Sequence, residues 1–211
     1  TDGTLCILDK YKERLSKLVS EPDKGIYDAM NKGIELATGD IVGLLNADDI
    51  YYDDFVVQDI VAKFDETIDC IYGNLVYVDR YDIKNVVRNW VSCDFKKGLF
   101  QKSWTPAHPT FYCRRELFNK HGMYRLDFKI AADVELMYRF LEKHNIKSRY
   151  LDRYMVKMRK AGVSNSGIKS TVVITREMRK AIKENGGKFN LIVYLFHKTL
   201  KIKQIIIRNL A

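Results

Sequence analysis

The stretch Ile41-Val42-Gly43-Leu44-Leu45-Asn46-Ala47-Asp48-Asp49 restricts the fold more than any other part of the chain. A short apolar run behind Gly39 predicts a buried strand of a covered, mostly parallel sheet, because such strands meet apolar neighbours on both faces. Open α/β sheets bind ligands at the carboxyl ends of their strands. Asn46, Asp48 and Asp49 are therefore expected at that rim. Two adjacent carboxylates there are the hard oxygen donors that Mg²⁺ or Mn²⁺ takes together with substrate phosphates. Taken alone, residues 46–49 suit a solvated turn equally well, since Asn and Asp favour turns.

The other elements follow from periodicity. Leu5, Leu8, Tyr11, Leu15 and Leu18 recur at helical spacing behind a cap at Thr1 or Asp2, and Leu18-Val19-Ser20 reads as a short strand. Glu21-Pro22-Asp23-Lys24-Gly25 makes a turn into a helix over Ile26 to Ala37, with Ile26, Ala29, Met30, Ile34 and Ala37 as its apolar face. Asp23 and Asp28 sit where the helix dipole favours carboxylates. A helix is expected from Asp53 to Phe64. Cys70 to Val78 and Val86 to Trp90 read as a hairpin. Trp104 to Pro109 is a loop, Thr110 to Cys113 a strand, and Arg114 to Asn119 a short helix. A helix opens at Ala131, Arg149 to Met158 is a strand, and two helices close the chain, Lys169 to Glu184 and Leu191 to Asn209. Strands alternating with helices, plus one hairpin, predict an α/β sandwich on a mixed sheet, Rossmann-like in its layers.

Length and charge set the organisation. With 211 residues, 46% of them hydrophobic, the chain can bury one sizeable core. Residues 1–150 carry 22 Lys and Arg against 24 Asp and Glu, net −2; residues 151–211 carry 14 against 3, net +11, together the chain's +9. The basic tail calls for an anionic partner or a solvated helix face. The four cysteines form no Cys-x-x-Cys, and Cys6, Cys70 and Cys113 lie in apolar surroundings, which favours buried thiols in a reducing compartment over a zinc site.

Residues 21–33, then Ala37-Thr38-Gly39-Asp40, Leu45-Asn46-Ala47-Asp48-Asp49 and Ile130-Ala131-Ala132-Asp133-Val134-Glu135-Leu136 occur in an order that resembles the family-2 glycosyltransferases of bacterial polysaccharide synthesis. The likeness covers roughly residues 1–165, as a catalytic domain, with 166–211 as a basic amphipathic helical region. It implies a GT-A fold, a three-layer α/β/α sandwich, and an inverting transfer from a nucleotide-sugar, a UDP-sugar first, to a glycan or lipid-linked acceptor in capsular, exopolysaccharide or other cell-surface glycan synthesis.

The resemblance also assigns roles. Asp48, with Asp49 second, would hold Mn²⁺ or Mg²⁺ against the diphosphate. Asn46 stands where the family usually has Asp; it can reach a ribose hydroxyl but brings no charge. Asp133 matches the catalytic base, preceded by Ala132 where the family commonly has an acid. Asp23, Asp28 and Lys32 would line the nucleotide end, with a helix cap or exposed helix residue as the rival reading. His108, held between two prolines, would lie near the acceptor, and Trp104 would stack on a sugar or sit in a lid. Gly162 and Ser164 match a loop that closes over the diphosphate. The family also has two strands ahead of the segment matched by Thr1-Asp2-Gly3-Thr4, and these hold the base. Residues 1–211 alone are thus expected neither to bind a nucleotide-sugar tightly nor to turn over.

The tail adds expectations of its own. Leu191, Tyr194, Leu195, Ile202, Ile205, Ile206 and Leu210 alternate with Lys198, Lys201, Lys203 and Arg208, as in a helix that lies on an anionic bilayer. Its rivals are a helix packed on the core or on a second copy of the chain. The enzyme is expected in the cytoplasm, at the inner face of the membrane, with no nucleic acid as ligand. The competing functions are a nucleotidyltransferase, disfavoured by the lack of a Gly-rich phosphate loop, and a non-catalytic nucleotide or anion binder using the basic helices.

Overall fold

The computed structural model describes residues 2–159 and 168–208, with side chains over 2–159 and 170–200. Helix α1 spans Thr4–Lys10 and is followed by one 3₁₀ turn, Lys12–Arg14. This is shorter than expected, and the supposed apolar face is not a packed one. Helix α1 buries nothing, and Leu5, Tyr11, Leu15 and Leu18 are exposed. Short helices depend on packing for stability, and no residue of this one is buried. Residues 18–20 pair with no strand among those described, and Cys6 is exposed, against expectation.

Helix α2 is Ile26–Leu36. Its buried residues are Tyr27 and Ile34, whereas Ile26 is exposed, so the packed stripe is rotated from the predicted one. Strand β1, Ile41–Val42, and β2, Ile50–Tyr51, flank the acidic turn. Helix α3 is Val56–Lys63, β3 Cys70–Val78 and β4 Val86–Trp90. Then follow β5, Tyr112–Arg114, and α4, Glu116–His121. Helix α5, Ala132–Tyr138, runs on as a π turn over Arg139–Lys143, and β6 spans Ser148–Arg159. Helices α6, Ile168–Glu184, and α7, Leu191–Arg208, complete the described chain.

The sheet is mixed, in the order β1-β5-β3-β6-β2, with β4 also on β3. The expected mostly parallel arrangement gives way: β3–β6 is the parallel ladder, and β1–β5, β3–β5, β3–β4 and β2–β6 are antiparallel. The run at residues 41–45 pairs only over Ile41–Val42, with β5 running against it. Strand β3 is buried almost throughout and organises the layer. Its register against β6 slips around Gly73, where a Cβ would lie 2.4 Å from Met155 Sδ and 2.9 Å from the Arg153 carbonyl oxygen, so only glycine fits the bulge.

One core joins the two regions that the sequence separates at 165/166. Met178 and Ile182 of α6 and Tyr194 of α7 are buried with Leu136, Met137 and Phe140. A buried ion pair ties this side together. Arg139 Nη2 lies 3.0 Å from Glu135 Oε2, and both residues are buried. The guanidinium also donates to the carbonyls of His121, Gly122 (2.7 Å) and Met123 (2.7 Å), while Asn185 Nδ2 donates to Glu135 Oε1 at 3.0 Å. Removing one partner of such a pair strands the other charge. Arg139→Met is expected to lower stability by about 3–5 kcal/mol, read from the urea unfolding midpoint.

Beyond Arg139 the rings of His121 and His144 stack with centroids 3.9 Å apart. Burial lowers both from the usual 6.5, and so do Lys120 and Arg139; each histidine also faces a like-charged neighbour, His144 for His121 and Lys143 for His144. The unfolded chain therefore takes up protons at a higher pH than the folded one, and stability falls as pH drops through 6.5. His144→Phe keeps the stack and removes one of the two charges. It should flatten the loss of melting temperature between about pH 7 and about pH 5.

Candidate active site

The acidic turn leaves β1 through Gly43. A Cβ there would sit 1.9 Å from Tyr112 Cε1, and that ring is buried with its hydroxyl 3.2 Å from the Tyr51 hydroxyl. Glycine is required by this close approach of backbone to ring. The chain then turns at residues 46–49, Asp49 N donating to the Asn46 carbonyl oxygen at 3.1 Å. Asp48 points to solvent, whereas Asp49 is buried at 6% exposure. Asn46 Nδ2 donates to Asp49 Oδ2 at 3.1 Å. Asn46 thus supports the carboxylate chain that follows it, a role the sequence reading did not foresee. Burial raises the Asp49 carboxyl above its usual range and Asp48 adds to this, while the Asn46 hydrogen bond and His108 work against it.

The second half of the site comes from α5 and the loop ahead of β5. His108 Nδ1 lies 3.2 Å from Asp133 Oδ2. Tyr27 of α2 donates to the Ile130 carbonyl oxygen at 2.5 Å and faces Asp133 Oδ1 at 3.4 Å. Burial, then the charge of Asp133, pushes the Tyr27 phenol up, so it remains a donor. The turn into α5 is held from α6: Glu177 accepts from the backbone N–H groups of Lys129 (2.7 Å), Ile130 (3.0 Å) and Ala131 (2.9 Å). Ala131 N–H is one that a helix start leaves unpaired, and the other two belong to the turn just ahead of it. Tyr77 of β3 lies within electrostatic reach of both halves. Burial raises its phenol, and the charges of Asp49 and Asp133 raise it further against Arg88.

Most predicted site residues take definite places. His108 is brought to Asp133, and Asp49 lies within electrostatic reach of His108, with Asp48 on the outer side of the same turn. A surface groove of about 540 Å³ beside that turn is lined by Asp48, Asp49, Arg80, Tyr81 and Arg159. Asp23 and Lys32 line a different groove, of about 700 Å³, with Glu21 and Gly33. There Lys32 Nζ is engaged by Glu21 Oε1 (2.7 Å), the Pro22 carbonyl oxygen (3.0 Å) and, at 3.6 Å, Asp28 Oδ2. Asp23 and Asp28 accept from the backbone N–H groups of Gly25 and Lys24. Asp23 and Asp28 therefore shape the turn that enters α2, and Lys32 is paired with Glu21 across it.

Trp104 is no exposed platform. It is buried at 8% exposure among Tyr72, Phe95 and Phe100. Gly162 and Ser164 lie outside the described residues. Sequence reasoning missed Tyr27, Glu177 and the pair Tyr77–Trp90, whose rings lie 6.3 Å apart and nearly parallel. Alternation along the hairpin could have flagged Tyr77 and Trp90 as sharing a face.

The donor set suits a hard divalent cation only in part. No group of three or more His, Cys, Asp or Glu side chains is placed to hold a metal among the described residues. Yet Asp49 Oδ1 is buried with no hydrogen-bond partner, an acceptor that a cation would satisfy, and Asp48 stands next to it. One or two carboxylates plus substrate phosphates make up the usual Mg²⁺ arrangement. Because the turn is aimed by the fit of Gly43 against Tyr112, Gly43→Ala should cost about 1–3 kcal/mol through overpacking. Calorimetric melting checks this.

Comparison with known proteins bears on the whole arrangement. A family model described as "Glycosyl transferase family 2" matches residues 1–125. A Mycobacterium bovis BCG protein named PGL/p-HBAD biosynthesis glycosyltransferase is 25% identical over 208 residues, 96% of this chain and 77% of the relative. An uncharacterized glycosyltransferase of Mycobacterium tuberculosis CDC 1551 is 36% identical over 130 residues, 57% of this chain and 45% of that protein. Among solved structures, Staphylococcus aureus TarS 1–349 in complex with UDP-GlcNAc superposes with a TM-score of 0.62 at 19% identity, over 90% of this chain and 56% of that one. The mannosyltransferase PcManGT of Pyrobaculum calidifontis, in complex with GDP-Man and Mn²⁺, gives 0.59 at 18% identity, over 94% and 56%. The chain thus spans little more than half the length of these structures, whose likeness shows the fold, a GT-A-like mixed α/β arrangement.

Proposed function

Because this chain belongs to glycosyl transferase family 2, we propose that it carries the centre that moves a sugar from a nucleoside-diphosphate sugar, UDP-linked first, to a glycan or lipid-linked acceptor hydroxyl, with inversion at the transferred carbon. The reading extends to cell-surface polysaccharide synthesis, and places the enzyme in the cytoplasm. The bound UDP-GlcNAc and GDP-Man of the structural neighbours support the donor class. The four free thiols, two of them opposed across the β3–β5 ladder at Cys70 and Cys113, support a reducing compartment.

The observation that carries the proposal is the contact of His108 and Tyr27 with Asp133, within electrostatic reach of the Asp48–Asp49 turn. Inverting transfer needs one carboxylate to take the proton of the attacking hydroxyl. Asp133 fills that role, half-buried at the start of α5. His108, through Nδ1, holds Asp133 Oδ2, and Tyr27 flanks Oδ1, so the carboxylate is oriented before an acceptor arrives. Mn²⁺ or Mg²⁺ held by Asp48 and Asp49 would neutralise the departing diphosphate. Asn46 and the buried wall around Asp49 keep that carboxylate in place.

The test is to incubate the complete protein with UDP- and GDP-sugars, with Mn²⁺ or with a chelator, and to score released nucleoside diphosphate. Asp133→Asn and Asp48→Ala should each cut turnover about a hundredfold or more, the scale of losing a general base or a metal ligand. Turnover unchanged in both variants would overturn the assignment.

A further inference from the structure

Helix α7 is docked by one side and bare on the other. Tyr194 is buried at 3% exposure, its ring 5.3 Å from that of Phe189, where the helix packs on the turn at Phe100–Lys102. Ile192 is 80% exposed and Phe196 59%, with Leu191 and Leu195 also exposed. At 100° per residue Ile192 and Phe196 lie about 160° round the helix from Tyr194 and Leu195 about 100°, whereas Leu191 lies nearer to it, at about 60°. The helix is thus attached through its inner edge while its outer face is apolar, the reverse of an ordinary surface helix.

Charge decides what can cover that face. Residues 188–211 contain Lys188, Lys198, Lys201, Lys203 and Arg208 and not one Asp or Glu. A second copy meeting the same face would set this wholly cationic segment against its like, which is unfavourable. A lipid surface rich in anionic headgroups complements it. Among the described residues no helix is long and apolar enough to cross a membrane, so the matching geometry is a helix lying in the interfacial plane.

We propose that α7 seats the protein on an anionic lipid surface, with Ile192, Leu195 and Phe196 at the acyl boundary and the net positive charge of residues 188–211 drawing the segment to the headgroups. The seat brings the folded body to a surface without any part of the Asp133 centre. It is read by binding alone, so it stands or falls separately from the sugar-transfer assignment.

The test is co-sedimentation of the chain with vesicles of phosphatidylcholine, alone or mixed with phosphatidylglycerol, beside sedimentation velocity without lipid. Partitioning should rise about tenfold or more with the anionic lipid and fall with added salt. Ile192→Glu with Phe196→Glu should reduce it about tenfold or more while circular dichroism and melting stay unchanged. Lys201→Gln with Lys203→Gln should weaken only the anionic preference. Equal partitioning of the double Glu variant would overturn the proposal. So would self-association that the same variant abolishes, since a second copy would then be the cover. Absence of partitioning by the unaltered chain would overturn it as well.

Discussion

Glu135 and Arg139 stand one turn apart on the same helix, both withdrawn from water, and the packing around α5 depends on their meeting. A buried charge without a partner is strongly unfavourable, so every group that satisfies this pair is held in place by it. Arg139 spends its remaining donors on three successive carbonyls at residues 121–123, which fastens the exit of α4 to α5. Asn185 joins the end of α6 to the same carboxylate. Asp133 lies two residues before Glu135, about 200° round the helix, so fixing one side chain inward turns the other toward the site.

From that anchor the site is assembled by two further contacts. Glu177 of α6 gathers three backbone N–H groups at the start of α5, and Tyr27 of α2 bonds the Ile130 carbonyl while facing Asp133. Asn31, one turn along α2, exchanges two hydrogen bonds with the Tyr124 backbone, and the Tyr27 and Tyr124 rings stack at 5.8 Å. Helix α2 is therefore tied to the segment that leads into α5. The motif around Asp23–Gly33 serves the site by holding Asp133 as much as by lining a groove. On the opposite wall, burial of Asp49 beside exposed Asp48 separates two chemically identical neighbours into a shielded carboxylate and an open one.

Much of the plan was legible along the chain. The hairpin over 70–90, the long strand at 148–159 and the two closing helices follow from period and turn chemistry, which act over a few residues. The order of acidic motifs was legible for the same reason. Pairing direction was not: the run at 41–45 carries no mark of the strand it meets, and it meets β5 antiparallel over two residues. Trp104 reads as a platform or a lid residue, and only the rings of Tyr72, Phe95 and Phe100 around it place it in the core. That Lys32 pairs with Glu21 was likewise not legible from spacing.

What the sequence determined by itself was the chemistry at hand: Asp48, Asp49 and Asp133 at turn and helix starts, glycine at position 43, a tail whose charge is all of one sign. These are local properties, set by residue type and near spacing. What only the tertiary structure decided was which of them meet. His108 reaches Asp133, Glu177 reaches back from α6, and the apolar side of α7 is left facing outward. Contacts between residues far apart in the chain depend on how whole faces pack, and that is settled by the summed burial of a core which no single segment encodes.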